Sequence, residues 1–307
     1  MELSWPEGGS GPAIMNGRAR DLITLDSPAE TRVVNDDRLQ VRIGHDKIIE
    51  ELSLQPPLPG VEVLKGCHAT VGFRRALVPI VTQEAAFRRP ATVLLDDIVG
   101  SSVISPWIAV KWDPPRDSHE VDRTSQENVC SGYATGSVAL FDRSQVDVPR
   151  LVPRLQPDDD ALAFHDLGPD RDRLLRRVRR IDLWREGNGI VGIDAMFQDS
   201  GVIMGTRRAA LHEYRLIARA AVSDNGLILT EITAVPGVLP YSECLGAKSS
   251  LQRLVGTPLA EFRRTVLSQL RGPVGCTHLN DAARSLAEAE ALVAHLPAFS
   301  NQPEGQL

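Results

Sequence analysis

Two of the four cysteines stand in the same kind of place. Cys244 precedes the first of three consecutive C-terminal helices, about 245–254, and Cys276 precedes the third. A helix N-terminus offers unpaired N–H groups and the positive end of a dipole, which favour thiolate over thiol. Thiolate is the form that binds a metal or attacks carbon. His212, at the start of a long strand, adds an imidazole, and His278 lies two residues beyond Cys276; Glu213, Glu243 and Asp281 are acidic neighbours. No pair has the spacing of C-x-x-C or H-E-x-x-H, so the fold must bring these groups together. Cys67 and Cys130 read as small buried hydrophobes, although the run Cys130-Ser-Gly-Tyr-Ala-Thr-Gly136 is an alternative place for a pocket. Asp194 and Asp199 read as strand-end and turn acids.

The elements that must position these groups follow from periodicity and punctuation. Arg38–Gly44 alternates, Asp46-Lys47 turns the chain, and Ile48–Leu54 returns. Thr92–Val99 and Val103–Val110 read as further strands, and 113–128 as an exposed loop. Residues 171–180, with six arginines, read as a solvated helix face. Beyond it, strands are expected at 180–186, 190–197, 212–222 and 227–234, with turns at Gly187-Asn-Gly and Asp224-Asn-Gly226. The second C-terminal helix has Pro258 at its first position and Leu259, Phe262, Val266 and Leu270 on one face. The third has Thr277 as N-cap. Strands followed by helices indicate α+β. The expected layout is a loosely packed 1–30, a β-rich domain over 31–160, an antiparallel sheet packed with three helices over 165–299, and a tail from 300.

Composition excludes several classes. The chain has 307 residues, 42% hydrophobic and 24% charged, with a formal net charge of −6. Disorder throughout, a collagen-like repeat and a basic nucleic-acid-binding field are ruled out. No apolar stretch approaches the roughly 20 residues of a membrane helix. The opening residues lack a positive n-region and an apolar h-region. Four cysteines are too few for a disulfide framework. The expectation is a cytoplasmic protein with reduced thiols, a small-molecule substrate, and no nucleic-acid or membrane partner; a homodimer is compatible with the sequence.

The run from Cys244 to Leu259, continued by Gly275-Cys-Thr-His-Leu-Asn-Asp-Ala-Ala, resembles the C-terminal part of the NifU-like iron–sulfur scaffolds. In that family the first ligand cysteine opens a long strand ending at an Asn-Gly hairpin; the corresponding position here is His212. About Arg176 to Ala291 also resembles an uncharacterised bacterial family, domain of unknown function 2889. The likeness rests on His212-Glu213, the Pro240-Tyr-x-x-Cys244 run and Gly275-Cys-Thr-His-Leu279. The scaffold resemblance implies three cysteines and an aspartate two residues after the first; this chain has His212 and Tyr214 there instead. Cys244, Cys276 and His212 suit a single zinc with one open position, with iron as the alternative. Such a site implies a metal-dependent hydrolase or lyase acting on a small organic or acyl substrate. Glu213 and His278 are the candidate proton-transfer groups, though neighbours 212 and 213 on a strand point to opposite faces. The competing expectation is a non-enzymatic iron–sulfur, metal or sulfur-transfer scaffold.

Overall fold

The computed structural model describes residues 1–8, 11–24, 31–83, 89–112, 124–141, 150–151, 165, 173–203 and 207–296. Its frame is one nine-stranded antiparallel sheet. The strands are β1 (Glu2–Ser4), β2 (Ala13–Ile23), β3 (Arg32–Ile43), β4 (Ile49–Gln55), β5 (Arg150–Leu151), β6 (Leu174–Gly187), β7 (Ile190–Ile203), β8 (Arg207–Ser223) and β9 (Gly226–Pro236). They run in the order β4-β3-β2-β1-β6-β7-β8, with β5 and β9 pairing two different stretches of β8. Strands from both expected domains therefore share one sheet, joined where β1 pairs β6. The boundary expected near residue 160 lies outside the described residues. So do most of the expected loop 113–128 and the tail from 300.

Six α-helices are described: α1 (Phe73–Val81), α2 (Ala91–Trp112), α3 (Val138–Phe141), α4 (Phe262–Gln269), α5 (Thr277–Arg284) and α6 (Ala289–Leu292). The mixed helix and sheet composition agrees with the sequence. The C-terminal strands and their Gly-bounded turns lie where the alternation puts them. Gly226 closes its hairpin at φ 106, and a side chain there would meet the Glu290 carboxylate, which accepts the Leu227 N–H at 2.8 Å.

Three expectations are overturned. Residues 92–110 form the long helix α2, not strands. Short apolar runs do not distinguish a buried helix from a buried strand. Here Asp37 accepts the Ala91 N–H at the helix start, and Asp96 and Asp97 must share one face. The segment 1–30, whose Gly and Pro content marks it as loose, instead supplies β1 and β2, with Leu3 and Met15 buried in the core. The arginine-rich stretch is β6, not a solvated helix. Arg176 and Arg177 are buried there because acids from distant elements meet them: Glu2 on Arg176, and Asp97, Asp199 and Asp281 on Arg177.

Two apolar clusters result. One packs β1–β4 against α1 and α2. The other packs β7–β9 against the C-terminal helices through Leu251, Phe262, Val266, Leu279 and Leu286. Between them runs a buried layer of arginines and carboxylates, and the candidate site borders it.

Candidate metal centre

Antiparallel pairing of β7 and β8 sets Asp199 directly opposite His212, with a bulge immediately after this pair. Asp199 is completely buried and His212 nearly so. The third group comes from α5, whose N-cap is Cys276 rather than Thr277, putting His278 in the first turn. The tight entry into α5 requires Gly275, because a Cβ there would lie 2.2 Å from the Leu270 carbonyl oxygen. Asn280 fixes the same corner by donating to that carbonyl at 2.8 Å.

The imidazoles of His212 and His278 stack with centroids 3.3 Å apart and planes 13° from parallel. One ligand atom each from Asp199, His212 and His278 lie within 4.8 Å of one another. His278 Nε2 is 4.0 Å from Asp199 Oδ2, and its Nδ1 meets the Thr277 hydroxyl at 3.2 Å. His212 Nδ1 is buried without a hydrogen-bond partner. Burial first, then His278 and Arg177, hold the His212 imidazole well below its ordinary range, so it is neutral. A neutral imidazole with an unused nitrogen is a metal ligand in waiting. Arg177 donates to both Asp199 oxygens, at 2.7 and 2.8 Å, which fixes the carboxylate while leaving each oxygen a second lone pair.

On the other side of His278 lie the thiols. Cys244, in the 3-10 helix Ser242–Leu254, donates its S–H to Cys276. Cys276 also receives Tyr214 Oη–H at 3.4 Å and touches His278. The Cys244 bond, against burial and with help from His278 and Tyr214, draws Cys276 well below the usual thiol range. The same bond, then burial, pushes Cys244 far up. Cys130 arrives from the segment 124–141. Its neighbour Ser131 donates to the Gly275 carbonyl at 2.8 Å, and Tyr133 meets Tyr241 through their hydroxyls at 3.1 Å. Burial and then Cys276 raise the Cys130 thiol, against backbone N–H donors from Gly132, Tyr133 and Thr277. Gly132 is required by contact: a Cβ would sit 2.8 Å from Cys244 Sγ.

Four sequence-predicted residues are thus gathered: Cys244 and Cys276 touch, Cys276 touches His278, and His278 stacks on His212. Glu213 stands apart. Strand alternation turns it to the other face of β8, where it accepts Gln198 Nε2 at 2.8 Å and packs on Gly237. Sequence reasoning does not assign Asp199, Tyr214 or Cys130 to this site: it reads Asp199 as a strand-end or turn acid and Cys130 as a buried hydrophobe or part of a separate pocket. Asp199 is visible only through the β7–β8 register, and Cys130 only through docking of a distant segment.

Residues 175–292 match the model of a protein family of unknown function (DUF2889). That stretch contains Asp199, His212, Cys244, Cys276 and His278, while Cys130 lies outside it. No curated protein and no solved structure matches the chain.

Proposed function

We propose that Asp199, His212 and His278 hold a single metal ion, and that the chain is a metal-dependent enzyme of hydrolase or lyase type acting on a small organic or acyl substrate. The observation that carries this reading is the convergence of the three ligand atoms around a neutral imidazole whose Nδ1 has no other partner. Two imidazoles and a carboxylate suit zinc, with iron as the alternative, and leave coordination positions open. This set differs from His212, Cys244 and Cys276: Cys244 is hydrogen-bonded to Cys276, which in turn accepts from Tyr214, and among the described residues His212 converges with Asp199 and His278 instead.

A metal at such a site supplies Lewis acidity that polarises a carbonyl or activates water. The chain's own groups have separate tasks. Arg177 orients Asp199 from behind, the usual arrangement for a ligating carboxylate. Cys276, held toward thiolate by Cys244 and Tyr214, sits against His278. Burial of Cys130, Cys244 and Cys276 disfavours a scaffold that passes a cluster to a docked partner. The strand hairpins followed by helices, with Cys244 in the first turn of one and Cys276 at the N-cap of another, support the NifU-like arrangement as the fold on which this site is built.

The test is metal stoichiometry after anaerobic purification, for the wild type and for His212→Ala, His278→Ala and Cys276→Ser, with circular dichroism to check folding. About one equivalent of zinc or iron is expected, lost in both histidine variants and retained in Cys276→Ser. Loss in Cys276→Ser with retention in His278→Ala would move the centre to the thiols. A wild type free of metal would overturn the reading.

A further inference from the structure

Three of the four cysteines, Cys130, Cys244 and Cys276, are buried side by side although they come from three separate segments. Cys276 is the N-cap of α5, with extended backbone, and its side chain makes no capping bond to the helix. Its sulfur accepts instead from the Cys244 S–H and from the Tyr214 Oη–H, the latter at 3.4 Å. Gly132 brings the third segment against this pair. A Cβ on Gly132 would lie 2.8 Å from Cys244 Sγ and 3.8 Å from Cys130 Sγ, so the glycine leaves the space that the sulfur fills. The rings of Tyr133 and Tyr241, edge to face with centroids 5.4 Å apart, fasten that segment in place.

A cysteine that serves only as a small apolar group needs no such bonds. Here two thiols touch, and two thiols in contact can do what one alone cannot. When the first sulfur is oxidised to a sulfenic acid, the second condenses with it and stops the damage at a reversible disulfide. A S–S bond of about 2 Å is made from such a contact by turning the two side chains toward each other. Cys130 is the less suitable second sulfur, because the backbone N–H groups of Gly132, Tyr133 and Thr277 hold it. Burial selects the oxidant. Cys244 and Cys276 are 3% and 1% exposed, which favours a small hydroperoxide over a bulky disulfide.

We propose that Cys244 and Cys276 are a two-electron redox pair that hydrogen peroxide closes to a disulfide. The Cys276 sulfur attacks one peroxide oxygen, the O–O bond breaks, and the other oxygen leaves as water with the thiol proton. The Cys244 sulfur then attacks the Cys276 sulfenic sulfur, the S–O bond breaks, and a second water leaves with the Cys244 proton. The two sulfurs are oxidised by two electrons together, and one peroxide is reduced to two waters. None of Asp199, His212 and His278 takes part, so the pair works whether or not those residues hold a metal.

The experiment reduces the full chain, removes the reductant under nitrogen and adds one equivalent of hydrogen peroxide. Samples are quenched over time with N-ethylmaleimide in denaturant and mapped by mass spectrometry without reduction. Cys67 is the internal standard: it is the least buried of the four, so exposure alone would oxidise it first. A Cys244–Cys276 disulfide is expected, formed at least about tenfold faster than Cys67 is lost, and reversed by dithiothreitol. Cys130→Ser should still form it. In Cys276→Ser, Cys244 should be lost no faster than Cys67, with circular dichroism to check folding. The wild-type map decides the matter even where a variant fails to fold. Loss of Cys67 first, a disulfide through Cys130, or a Cys276 sulfinic acid beside a free Cys244 thiol would each overturn the proposal.

Discussion

Leu95 and Asp96 are neighbours on α2 and both are buried, yet they enter different structures. Leu94, Leu95, Ile98 and Val99 face the apolar cluster under β1–β4. Asp96 and Asp97 face five arginines: Arg74, Arg263 and Arg284 on the first, Arg177 and Arg179 on the second. The apolar side is held by area removed from water, which is additive and has no required direction. The ionic side ties α1, β6, α4 and α5 together through geometry, and through Arg177 it reaches Asp199 and the candidate centre. The helix therefore separates a region that supplies stability from one that fixes the position of chemical groups.

The largest expected effect lies on the ionic face. Asp96→Asn keeps one amide oxygen for Arg284 but removes the negative charge that Arg284, Arg74 and Arg263 share. Removing one partner from a buried charged cluster costs about 3–5 kcal/mol, measurable by urea unfolding at pH 7. Acid should reproduce part of it. Burial alone would raise the Asp96 carboxyl, but Arg284, Arg74 and Arg263 hold it well below the usual carboxylate range. A depressed folded value means that its contribution is complete above the unfolded value of about 4 and is lost as pH falls below that. The variant should therefore lose less stability than the wild type between pH 4 and more acidic conditions. Identical acid limbs in the two proteins would show that the cluster is not what acid breaks.

Leu95→Ala tests the other face. A leucine truncated in a well-packed core costs about 2–5 kcal/mol, an amount that should not change with pH across the carboxylate range. Metal content per folded molecule should stay that of the wild type, because no ionic contact is touched. A metal deficit in Leu95→Ala would erase the distinction between the two faces.

The same contrast explains which parts were legible in the sequence. Apolar alternation and Gly or Asn turns speak through near neighbours, so β3, β4, β7–β9 and the second half of β6 could be read in large part. The ionic layer joins residues separated by up to 207 positions, as Arg74 and Asp281 are, and no local pattern announces such pairs. Arg177 reads as a surface charge until Asp97, Asp199 and Asp281 are seen around it. α2 was misread for a related reason: its charged face looks like an interruption in a strand until the arginines that need it are in place. In the candidate centre, Cys244, Cys276, His212 and His278 are legible as residue types near expected element starts, although β8 begins at Arg207, five residues before His212. Asp199 is not, because its role comes from the cross-strand register with His212. Cys130 is not, because its segment docks by a bridge to Gly272.

The smallest effect expected is at Glu213, and it separates sequence adjacency from spatial adjacency. Glu213 follows His212 directly, which makes it the obvious proton-transfer partner, but the pleat turns it to the opposite face. There it is half-buried and accepts one bond, from Gln198. Glu213→Gln keeps an amide oxygen for that bond and nearly the same volume. Stability should change by less than about 0.5 kcal/mol, and metal content should equal the wild type. His212→Ala, one residue away, should lose the metal. Equal metal loss at both positions would mean that β8 does not present these two side chains to opposite faces. In that case the Asp199–His212 register, on which the proposed centre rests, would also be wrong.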